Sequence, residues 1–371
     1  MKVVVAMDSF KGSLTSLEAG NAVKRGILRS CPDADVIVLP LADGGEGTID
    51  ALAPYINGIT KTLCVTGPAG AKISADYIFD PKTNTAYIEM AKAAGLTLLD
   101  EKERNPYITT TYGVGELMKD AILNGAQKLV ICIGGSATND GGAGMLQALG
   151  AKLLDKDGND IGFGAAGLKD LYSIDTSSLM GKDIEITVAS DVTNPLCGPD
   201  GASFVYGPQK GASEDMCREM DVWLEHFAVT AGLDPYEEGT GAAGGMSFAL
   251  KNFLGAAIKS GADIVLSITG AEPEIRDCNI VITGEGRMDS QTLNGKAPFK
   301  VLQLAKKMDK PVYGITGLLG SGYEECLKEG FVRIVPLIDP SMDTGEAILS
   351  VEKTVARLFA ELQASSEDKQ I

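Results

Sequence analysis

The sequence predicts an α/β protein with two domains, one of them flavodoxin- or Rossmann-like with a parallel sheet. Strand-like apolar runs alternate with helix-like segments near both chain ends, which favours a parallel sheet built from both ends. Short strand-like segments separated by Gly, Pro and Asn turns lie between them and indicate an inserted mixed α/β domain. We place the parallel-sheet domain at 1–60 plus 281–371 and the insertion at 61–280. A cleft between the domains is then the expected ligand site.

The N-terminal segments read as strand, loop and helix. "KVVVAM" is a continuous apolar run, typical of a strand that is buried on both faces. Thr15 and Glu18 have the spacing of a capping box, and Ala19, Val23 and Ile27 follow at helical intervals. "DVIVLPLAD" is the second strand, followed by the loop "DGGEGT" and another helix.

The pattern of predicted strands changes in the middle of the chain. "TLCVTGP", "KISADYIFD" and "TAYIEMA" predict an antiparallel meander, and "TTYGVGELMKDAILNGA" predicts a helix. "KLVICI" and "DIEITVASD" are further buried strands, and a long helical region precedes a glycine-rich break at 239–245. The final third returns to strand–helix alternation through "NIVITGEG", "KPVYGITG" and "FVRIVPL".

Composition excludes several classes of protein. No apolar run approaches the ~18 residues of a membrane span, and the apolar core Val3–Met7 is too short for a signal peptide, so we expect a cytoplasmic protein. The 7 cysteines form no CxxC, and the lone His226 lies in a helix-like segment, which favours a packing or surface role.

A net charge of −17 argues against nucleic acid and membrane partners. An anionic small substrate would need local cations, helix N-termini or a metal.

Loops of one format follow the predicted strands, each combining glycine with carboxylates or hydroxyls before a helix. Alone, any of them could be an ordinary turn, but their repetition favours ligand binding at the carboxyl ends of parallel strands. Glycine lets backbone N–H groups approach an anion, and the following helix adds its positive end. The loops are "DSFKGS" (8–13), "ADGGEGT" (42–48), "GGSATNDGG" (134–142), "SDVTNPLCG" (190–198) and "TGEGRMDSQT" (283–292).

Two familiar nucleotide-binding motifs give no support for nucleotide binding here. A P-loop needs Gly-Lys followed by Ser or Thr, and no such tripeptide occurs. A GxGxxG occurs as Gly239, Gly241 and Gly244, but it follows "DPYEE" rather than a strand, which weakens a dinucleotide reading.

The carboxylates of these loops suggest a metal site or a proton acceptor. Clustered carboxylates without His or Cys suit a hard cation such as Mg²⁺, and one of them could accept a proton from a substrate hydroxyl. Surface solvation or helix capping remains the alternative for any single Asp. Together with cations in the same loops and in "GPQKGA", they match the parts needed for phosphoryl transfer. The carboxylates are Asp8, Asp43, Glu46, Asp140, Asp191, Glu285 and Asp289, and the cations are Lys11, Lys210, Arg287 and Lys296.

The ordered set of motifs resembles the bacterial glycerate kinase family, of the glycerate 2-kinase type. The resemblance implies a two-domain α/β enzyme that phosphorylates D-glycerate with ATP and Mg²⁺, with 2-phosphoglycerate favoured over 3-phosphoglycerate as the product. The motifs are "DSFKGSLTSLEA", "PLADGGEGT", "IGGSATNDGGAGMLQALG", "SDVTNPLCGPDGAS", "GPQKGA", "GTGAAGG" and "TGEGRMDSQTLNGKAP".

On this resemblance we assign candidate roles. Asp191 orients or deprotonates the glycerate hydroxyl, and Lys11 and Lys296 stabilise charge on the transferred group. Arg104 pairs with the substrate carboxylate, or alternatively forms a surface salt bridge. The remaining candidates for substrate or phosphate contact are Asp8, Ser9, Gly134, Gly135, Ser136, Asn139, Asp140 and Arg287. The candidates for Mg²⁺ contact are Asp43, Glu46, Glu285 and Asp289.

Three alternatives stay open. A kinase for another small hydroxy acid or polyol would carry the same phosphate-handling loops. A non-catalytic nucleotide or metabolite sensor would bind without turnover. A nicotinamide oxidoreductase is disfavoured by the misplaced GxGxxG. The expected partners are ATP and glycerate, and the sequence leaves a homo-oligomer open.

Overall fold

The computed structural model describes residues 1–10, 12–42, 44–293 and 295–367, with side chains as far as residue 364. Two predicted site residues, Lys11 and Asp43, lie outside the described residues, so their roles remain predictions.

The strands correspond closely to the predicted apolar runs, and "KISADYIFD" is a strand over its full predicted length. In chain order they are β1 Lys2–Met7, β2 Asp35–Pro40, β3 Ile59–Thr66, β4 Lys72–Asp80, β5 Thr85–Glu89, β6 Lys128–Cys132, β7 Lys152–Leu154, β8 Ser173–Asp175, β9 Glu185–Ala189, β10 Ala257–Lys259, β11 Ile280–Met288, β12 Val312–Leu319 and β13 Phe331–Pro336.

The helices between the strands range from single turns to long amphipathic segments. In chain order they are α1 Ser16–Ser30, α2 Thr48–Leu52, α3 Ala91–Ala94, α4 Tyr112–Leu123, α5 Ala143–Ala148, α6 Ala165–Leu168, α7 Ala202–Tyr206, α8 Glu214–Ala231, α9 Ala242–Leu254, α10 Gly261–Ile268, α11 Ala271–Asp277, α12 Ala297–Lys306, α13 Glu324–Glu329 and α14 Thr344–Glu367.

The chain forms two compact units, and the first combines both chain ends. Unit 1 comprises Met1–Asp43 and Ala262–Ile371, and unit 2 comprises Gly44–Gly261. The sheet of unit 1 has the order β13-β12-β11-β1-β2, and every neighbouring pair is parallel. Counted in chain order, this is the flavodoxin order 2-1-3-4-5. The predicted flavodoxin- or Rossmann-like parallel sheet is therefore confirmed.

Helices cover both faces of the unit 1 sheet. Val23 of α1 and Val355 of α14 are buried with Val3 and Val5 on one face, and Val301 of α12 belongs to the core on the other. This double coverage explains why β1 is apolar along its length rather than alternating. The strand ends are consequently the accessible part of the sheet.

Unit 2 holds a mixed sheet in the order β10-β9-β6-β5-β4-β3. The pairs β3–β4 and β4–β5 are antiparallel, as the meander prediction required. The pairs β5–β6, β6–β9 and β9–β10 are parallel, so the carboxyl ends of β5, β6 and β9 lie at one edge. The predicted mixed α/β architecture of the insertion is present.

The borders of the compact units differ from those drawn on the sequence. Residues 44–60 group with unit 2, where the Glu89 carboxylate accepts hydrogen bonds from the N–H of Gly47. Residues 262–280 group with unit 1, where Ile275 lies in the core beneath β1 and β11. Both differences arise from long-range contacts. The change in length and spacing of the predicted strands, on which the sequence-based borders rest, does not reveal such contacts.

Candidate active site

Three loops of unit 2 approach one another through glycines. The N–H of Gly134 donates to the Gly44 carbonyl at 3.1 Å. A Cβ on Gly134 would overlap the Gly45 backbone, and a Cβ on Gly44 would lie 2.9 Å from the Ala189 oxygen. Because Cys132 and Ala189 are register partners on β6 and β9, the loops that follow these strands start side by side. Glycine is therefore required here for close backbone approach.

The loop after β6 presents backbone donors that the protein does not use. Within the described part of the chain, no acceptor is in hydrogen-bonding geometry with the N–H groups of Gly135, Ser136, Thr138, Asn139 and Asp140. Gly135 has φ +73°, a left-handed conformation that glycine adopts without strain. Free N–H groups in a turn can bind an anion; of these residues Gly135 is exposed, whereas Thr138, Asn139 and Asp140 are fully buried. We call residues 134–140 the anion loop.

Asp140 anchors this loop from inside. Its side chain is fully buried, and its carboxylate accepts hydrogen bonds from the Thr111 N–H, the Thr111 hydroxyl and the N–H groups of Gly142 and Gly144. Burial raises the pKa of Asp140, while these hydrogen bonds oppose the rise. The carboxylate oxygens are thus occupied by donors of the fold, and a contact of the fully buried Asp140 with a ligand stays a prediction.

Asn139 also turns its side chain inward. Its Nδ2 donates to the Ser203 hydroxyl at 2.8 Å, and its Oδ1 is buried without a partner among the described residues. Ser136 is buried as well, opposite Gly95 in a β-bridge whose hydrogen bonds are made by its neighbours Gly135 and Ala137. Asn139 is 0% exposed, so the structure presents neither its amide group nor its backbone to solvent, and its contact with a ligand stays a prediction.

Lys210 of "GPQKGA" lies beneath the anion loop. Its side chain is 1% exposed, and its Nζ donates to the Thr138 carbonyl at 2.6 Å. Burial lowers the pKa of Lys210 to about 7, and the nearby charge of Asp140 opposes this shift. The sequence singled out Lys210 as one cation among several without a specific partner.

Glu46 and an unpredicted carboxylate, Glu89, flank the same loops. The Glu46 carboxylate accepts a hydrogen bond from the Thr97 hydroxyl at 2.9 Å. Glu89 ends β5, is 2% exposed, and accepts hydrogen bonds from the N–H groups of Gly47 and Ile49 at 2.8 and 3.1 Å. Burial is the largest cause of its raised pKa. A carboxylate directly after the apolar run "TAYI" was the signal that could have identified Glu89.

Asp191 and Arg104 are the other predicted residues of unit 2. Asp191 is exposed and lies two residues beyond the end of β9, in the loop that starts beside the anion loop. Arg104 is partly buried, and its Nε has no hydrogen-bond partner among the described residues. A Cβ on Gly211 would overlap the Arg104 carbonyl, so Arg104 borders the Lys210 segment. The surface salt bridge considered for Arg104 is not formed within the described residues.

Unit 1 brings together four predicted residues at the C-terminal end of β11 and in the segment that follows it. Lys296 Nζ lies 3.2 Å from Glu285 Oε2 and 3.9 Å from Asp289 Oδ1, and Arg287 Nε lies 3.2 Å from Asp289 Oδ2. The Thr292 hydroxyl donates to Glu285 Oε1 at 2.7 Å. Glu285 and Asp289 are largely buried, whereas Arg287 is exposed. This arrangement, which we call the unit 1 cluster, neutralises two carboxylates with two cations.

Asp8 and Ser9 follow β1, the neighbour of β11. The Asp8 N–H donates to the Gly284 carbonyl at 2.8 Å, and the Asp8 carboxylate accepts from the Ser9 N–H at 2.7 Å. In flavodoxin-type sheets, ligands bind outside the strand ends where the strand order reverses, here between β1 and β11. Thr283, two residues before Glu285 on β11, is fully buried, and its hydroxyl has no partner among the described residues.

The predicted metal ligands are divided between the units. Glu46 belongs to unit 2, while Glu285 and Asp289 belong to unit 1. In the described ranges, no group of three or more His, Cys, Asp or Glu side chains is arranged to hold a metal ion. Mg²⁺, however, is commonly held by one or two carboxylates together with water and substrate phosphates. Glu285 and Asp289 are oxygen donors of this kind, and a metal ion would compete there with Thr292, Lys296 and Arg287, which contact the two carboxylates in the structure.

The glycerate kinase family model matches residues 3–366. The chain belongs to the glycerate kinase family. Glycerate 2-kinase of Escherichia coli (strain K12) is 50% identical over 372 residues, covering 98% of each chain. Glycerate kinase of Bacillus subtilis (strain 168) is 44% identical over 372 residues, covering 98% of this chain and 97% of the relative. Similarity at this level confirms the resemblance and the prediction of a kinase.

A solved structure supports the family relationship in three dimensions. The crystal structure assigned as glycerate kinase 2 from Salmonella typhimurium LT2 superposes with a TM-score of 0.85 at 42% identity, covering 100% of this chain and 99% of the other. One further feature agrees with expectation. His226 lies in α8 with Nε2 at 2.6 Å from the Leu171 carbonyl, a packing role. Among the described helices, none has both the length and the apolar character of a membrane span.

Proposed function

We propose that this member of the glycerate kinase family transfers a phosphoryl group from ATP to the 2-hydroxyl of D-glycerate. The observation that carries the proposal is the anion loop, in which the N–H groups of the exposed Gly135 and of Ser136 have no acceptor within the described residues. Such a loop suits a substrate that carries a carboxylate or phosphate. The family membership and the relative named glycerate 2-kinase support glycerate as acceptor and the 2-position as the site of transfer.

The phosphate-donor side of the proposal rests on the unit 1 cluster. Glu285 and Asp289 would hold Mg²⁺, which when bound neutralises charge on the phosphates of ATP. Lys296 lies 3.2 Å from Glu285 and provides a cation for the transferred group. Arg287 is exposed beside Asp289 and can reach a second phosphate oxygen. Lys11, which lies outside the described residues, would act with Lys296.

The acceptor side of the proposal rests on unit 2. Asp191 is an exposed carboxylate on a strand-end loop and would accept the proton of the glycerate hydroxyl as the new phosphate ester forms. The anion loop would bind the glycerate carboxylate through accessible N–H groups such as that of Gly135. Arg104 would add a charged hydrogen bond, because its Nε is buried without a partner within the described residues. Glu46 would contact Mg²⁺ directly or through water.

An assay of acceptor specificity tests this proposal. Purified protein is given ATP, Mg²⁺ and each of D-glycerate, L-glycerate, glycolate, lactate and glycerol, and ADP release is followed. We expect kcat/KM for D-glycerate to exceed that of the other acceptors by about 100-fold or more, because acceptors that leave polar groups of the site unpaired are rejected strongly. A higher kcat/KM for another acceptor would instead support a hydroxy-acid or polyol kinase of different specificity.

The proposal also covers the cellular setting. ATP, Mg²⁺ and a small organic acid meet in the cytoplasm, and we propose that the enzyme acts there. Its net charge of −17 makes nucleic acid and anionic membranes poor partners.

A further inference from the structure

We propose that residues 239–241, which we call the glycine clamp, position Asp191 by holding the backbone of the loop that carries it, with Thr240 as the positioning residue. The clamp does not contact the substrate in this proposal. The role of Asp191 as proton acceptor rests on the proposed function, whereas the hold of the clamp on the loop does not.

The loop that carries Asp191 depends on other segments for its shape. β9 ends at Ala189, and residues 190–201 form an irregular loop between β9 and α7. The Ser190 N–H donates to the Lys259 carbonyl of β10 at 2.9 Å, which fixes the start of the loop. Asp191 itself is exposed. Because an irregular loop has no ladder of its own, its backbone groups need partners from elsewhere in the fold.

Two N–H groups of the clamp supply such partners on the C-terminal side of Asp191. The Gly239 N–H donates to the Thr193 carbonyl at 2.9 Å. The Gly241 N–H donates to the Asn194 carbonyl, also at 2.9 Å. Thr193 is only two residues from Asp191, so the clamp restrains the backbone directly beside the proposed base.

Thr240 adds a side-chain contact between these two backbone contacts. Its hydroxyl accepts a hydrogen bond from the Leu196 N–H at 3.1 Å and donates to the Glu237 carbonyl at 2.6 Å. Thr240 and Leu196 are both 0% exposed, so water does not replace this hydroxyl readily. A valine at position 240 has a similar size but would leave the Leu196 N–H and the Glu237 carbonyl without this partner.

Close packing explains why glycines flank Thr240. Gly239 has φ +79°, a conformation that favours glycine. A Cβ on Gly241 would lie 2.0 Å from the Pro195 oxygen, and a Cβ on Gly244 would lie 2.0 Å from the Thr138 oxygen of the anion loop. The glycines of the GxGxxG pattern thus allow close approach between segments of the protein, which gives the pattern a role other than dinucleotide binding.

The test is a double-mutant cycle that combines Thr240→Val with Asp191→Asn. If Thr240 acts through the Asp191 carboxylate, Thr240→Val should lower kcat for D-glycerate by about 10- to 100-fold in the wild-type background, because small displacements of a reacting group are costly. In the Asp191→Asn background the same change should lower kcat by less than about twofold. Calorimetry should find the Kd of MgATP within about twofold of wild type in both backgrounds.

Equal loss of kcat in the two backgrounds would show that Thr240 contributes only to stability, and it would overturn the proposal. A normal kcat in folded Thr240→Val would overturn it as well. Thr240→Ser keeps the hydroxyl and should retain kcat within about twofold of wild type.

Thr354 of α14 provides a matched control. It is 2% exposed, and its hydroxyl accepts from the Ile338 N–H at 3.1 Å and donates to the Ser350 carbonyl at 2.8 Å. Thr354→Val therefore removes the same pair of hydrogen bonds in unit 1, where we assign this threonine no role in catalysis. We expect a lower Tm with wild-type kcat.

Hydrogen exchange tests the clamp without turnover. In folded Thr240→Val the Gly239 and Gly241 N–H groups should exchange at least ~10-fold faster than in the wild type, because the loop carbonyls they bond to are less firmly held. The Gly134 N–H, which donates to the Gly44 carbonyl, should exchange at the wild-type rate. Unchanged exchange at Gly239 and Gly241 would contradict the proposal.

Should Thr240→Val fail to fold, exchange on the wild type decides the question. The protection factors of the Gly239, Gly241 and Leu196 N–H groups should agree within about threefold, because their bonds open together. Widely different protection factors would contradict a common clamp. Lack of D-glycerate turnover by the wild type would overturn the proposed function alone, because the exchange measurements use no substrate.

Discussion

Asp191 is the residue on which the proposed proton transfer depends. Replacing it with asparagine keeps the shape of the side chain but removes its ability to accept a proton. We expect Asp191→Asn to lower kcat by about 10²–10⁴-fold, the usual contribution of a general base, while the Kd of MgATP stays within about twofold. Steady-state kinetics and calorimetry measure the two quantities.

Asp200 provides a matched control for this experiment. It is an exposed aspartate on the same segment, to which we assign no role in catalysis. Asp200→Asn should retain wild-type kcat. An Asp191→Asn enzyme with normal kcat would remove Asp191 from the role of base and would require another carboxylate for it.

Glu285 carries the proposed contact with Mg²⁺. Glu285→Gln still offers an oxygen to the Thr292 hydroxyl but loses the negative charge that attracts the cation. We expect the Mg²⁺ concentration for half-maximal rate to rise about tenfold, with a normal rate partly recovered at high Mg²⁺. A Mg²⁺ titration of the initial rate measures this, with the exposed Glu324→Gln as the control that should behave as wild type. An unchanged Mg²⁺ requirement in Glu285→Gln would exclude Glu285 as a ligand.

At the scale of single residues, the sequence predicts which carboxylates lie near strand ends but not which of them face solvent. Strand-end loops with carboxylates were recognisable, and the Glu285, Asp289, Arg287 and Lys296 side chains do lie close together. Asp140 looks the same in the sequence, yet its carboxylate is saturated by N–H and hydroxyl donors of its own fold. Whether a loop carboxylate faces solvent or core depends on packing partners distant in the chain, such as Thr111 for Asp140.

At the scale of elements, the capping box of α1 is open to a direct test. The Glu18 N–H donates to the Thr15 hydroxyl, and the Thr15 N–H donates to the Glu18 carboxylate at 2.8 Å. We expect Thr15→Ala to lower the free energy of unfolding by about 1 kcal/mol at pH 7, as measured by urea unfolding. No change at pH 7 would show that the cap contributes nothing to stability.

The same bonds predict a pH dependence. Hydrogen bonds from the backbone and side chain of Thr15 lower the pKa of Glu18 in the folded protein. A lowered carboxyl pKa stabilises the fold above the unfolded value of about 4.3, and this contribution is lost as the pH falls through the folded value. The stability difference between wild type and Thr15→Ala should therefore narrow below about pH 4. A difference that widens at low pH would contradict this account of the cap.

Local patterns predicted most elements because each depends on nearby residues. The capping-box spacing placed the start of α1, and the apolar run "KVVVAM" placed β1. The segment at 239–245 was harder: α9 starts at Ala242, with Ala243 to Gly245 in left-handed conformations. Contacts of Gly244 with the Thr138 backbone impose this geometry, and such contacts leave no local signature.

At the scale of the whole molecule, motif order was the most informative signal. Seven short motifs in one order indicated the family, and the family model matches residues 3–366. Strand–helix alternation at both chain ends predicted the parallel sheet, and the switch to short, turn-separated strands predicted the mixed insertion. The division at residues 44 and 262 was not predictable, because Glu89 and Ile275 assign the border segments through long-range packing.

The central claim is that the enzyme phosphorylates D-glycerate on its 2-hydroxyl with ATP. The most direct measurement is ³¹P NMR of the products formed from D-glycerate, ATP and Mg²⁺ by the purified protein. We predict stoichiometric ADP and 2-phosphoglycerate, with no signal from 3-phosphoglycerate at early times. Formation of 3-phosphoglycerate as the first product, or no phosphorylated glycerate from correctly folded protein, would contradict the account.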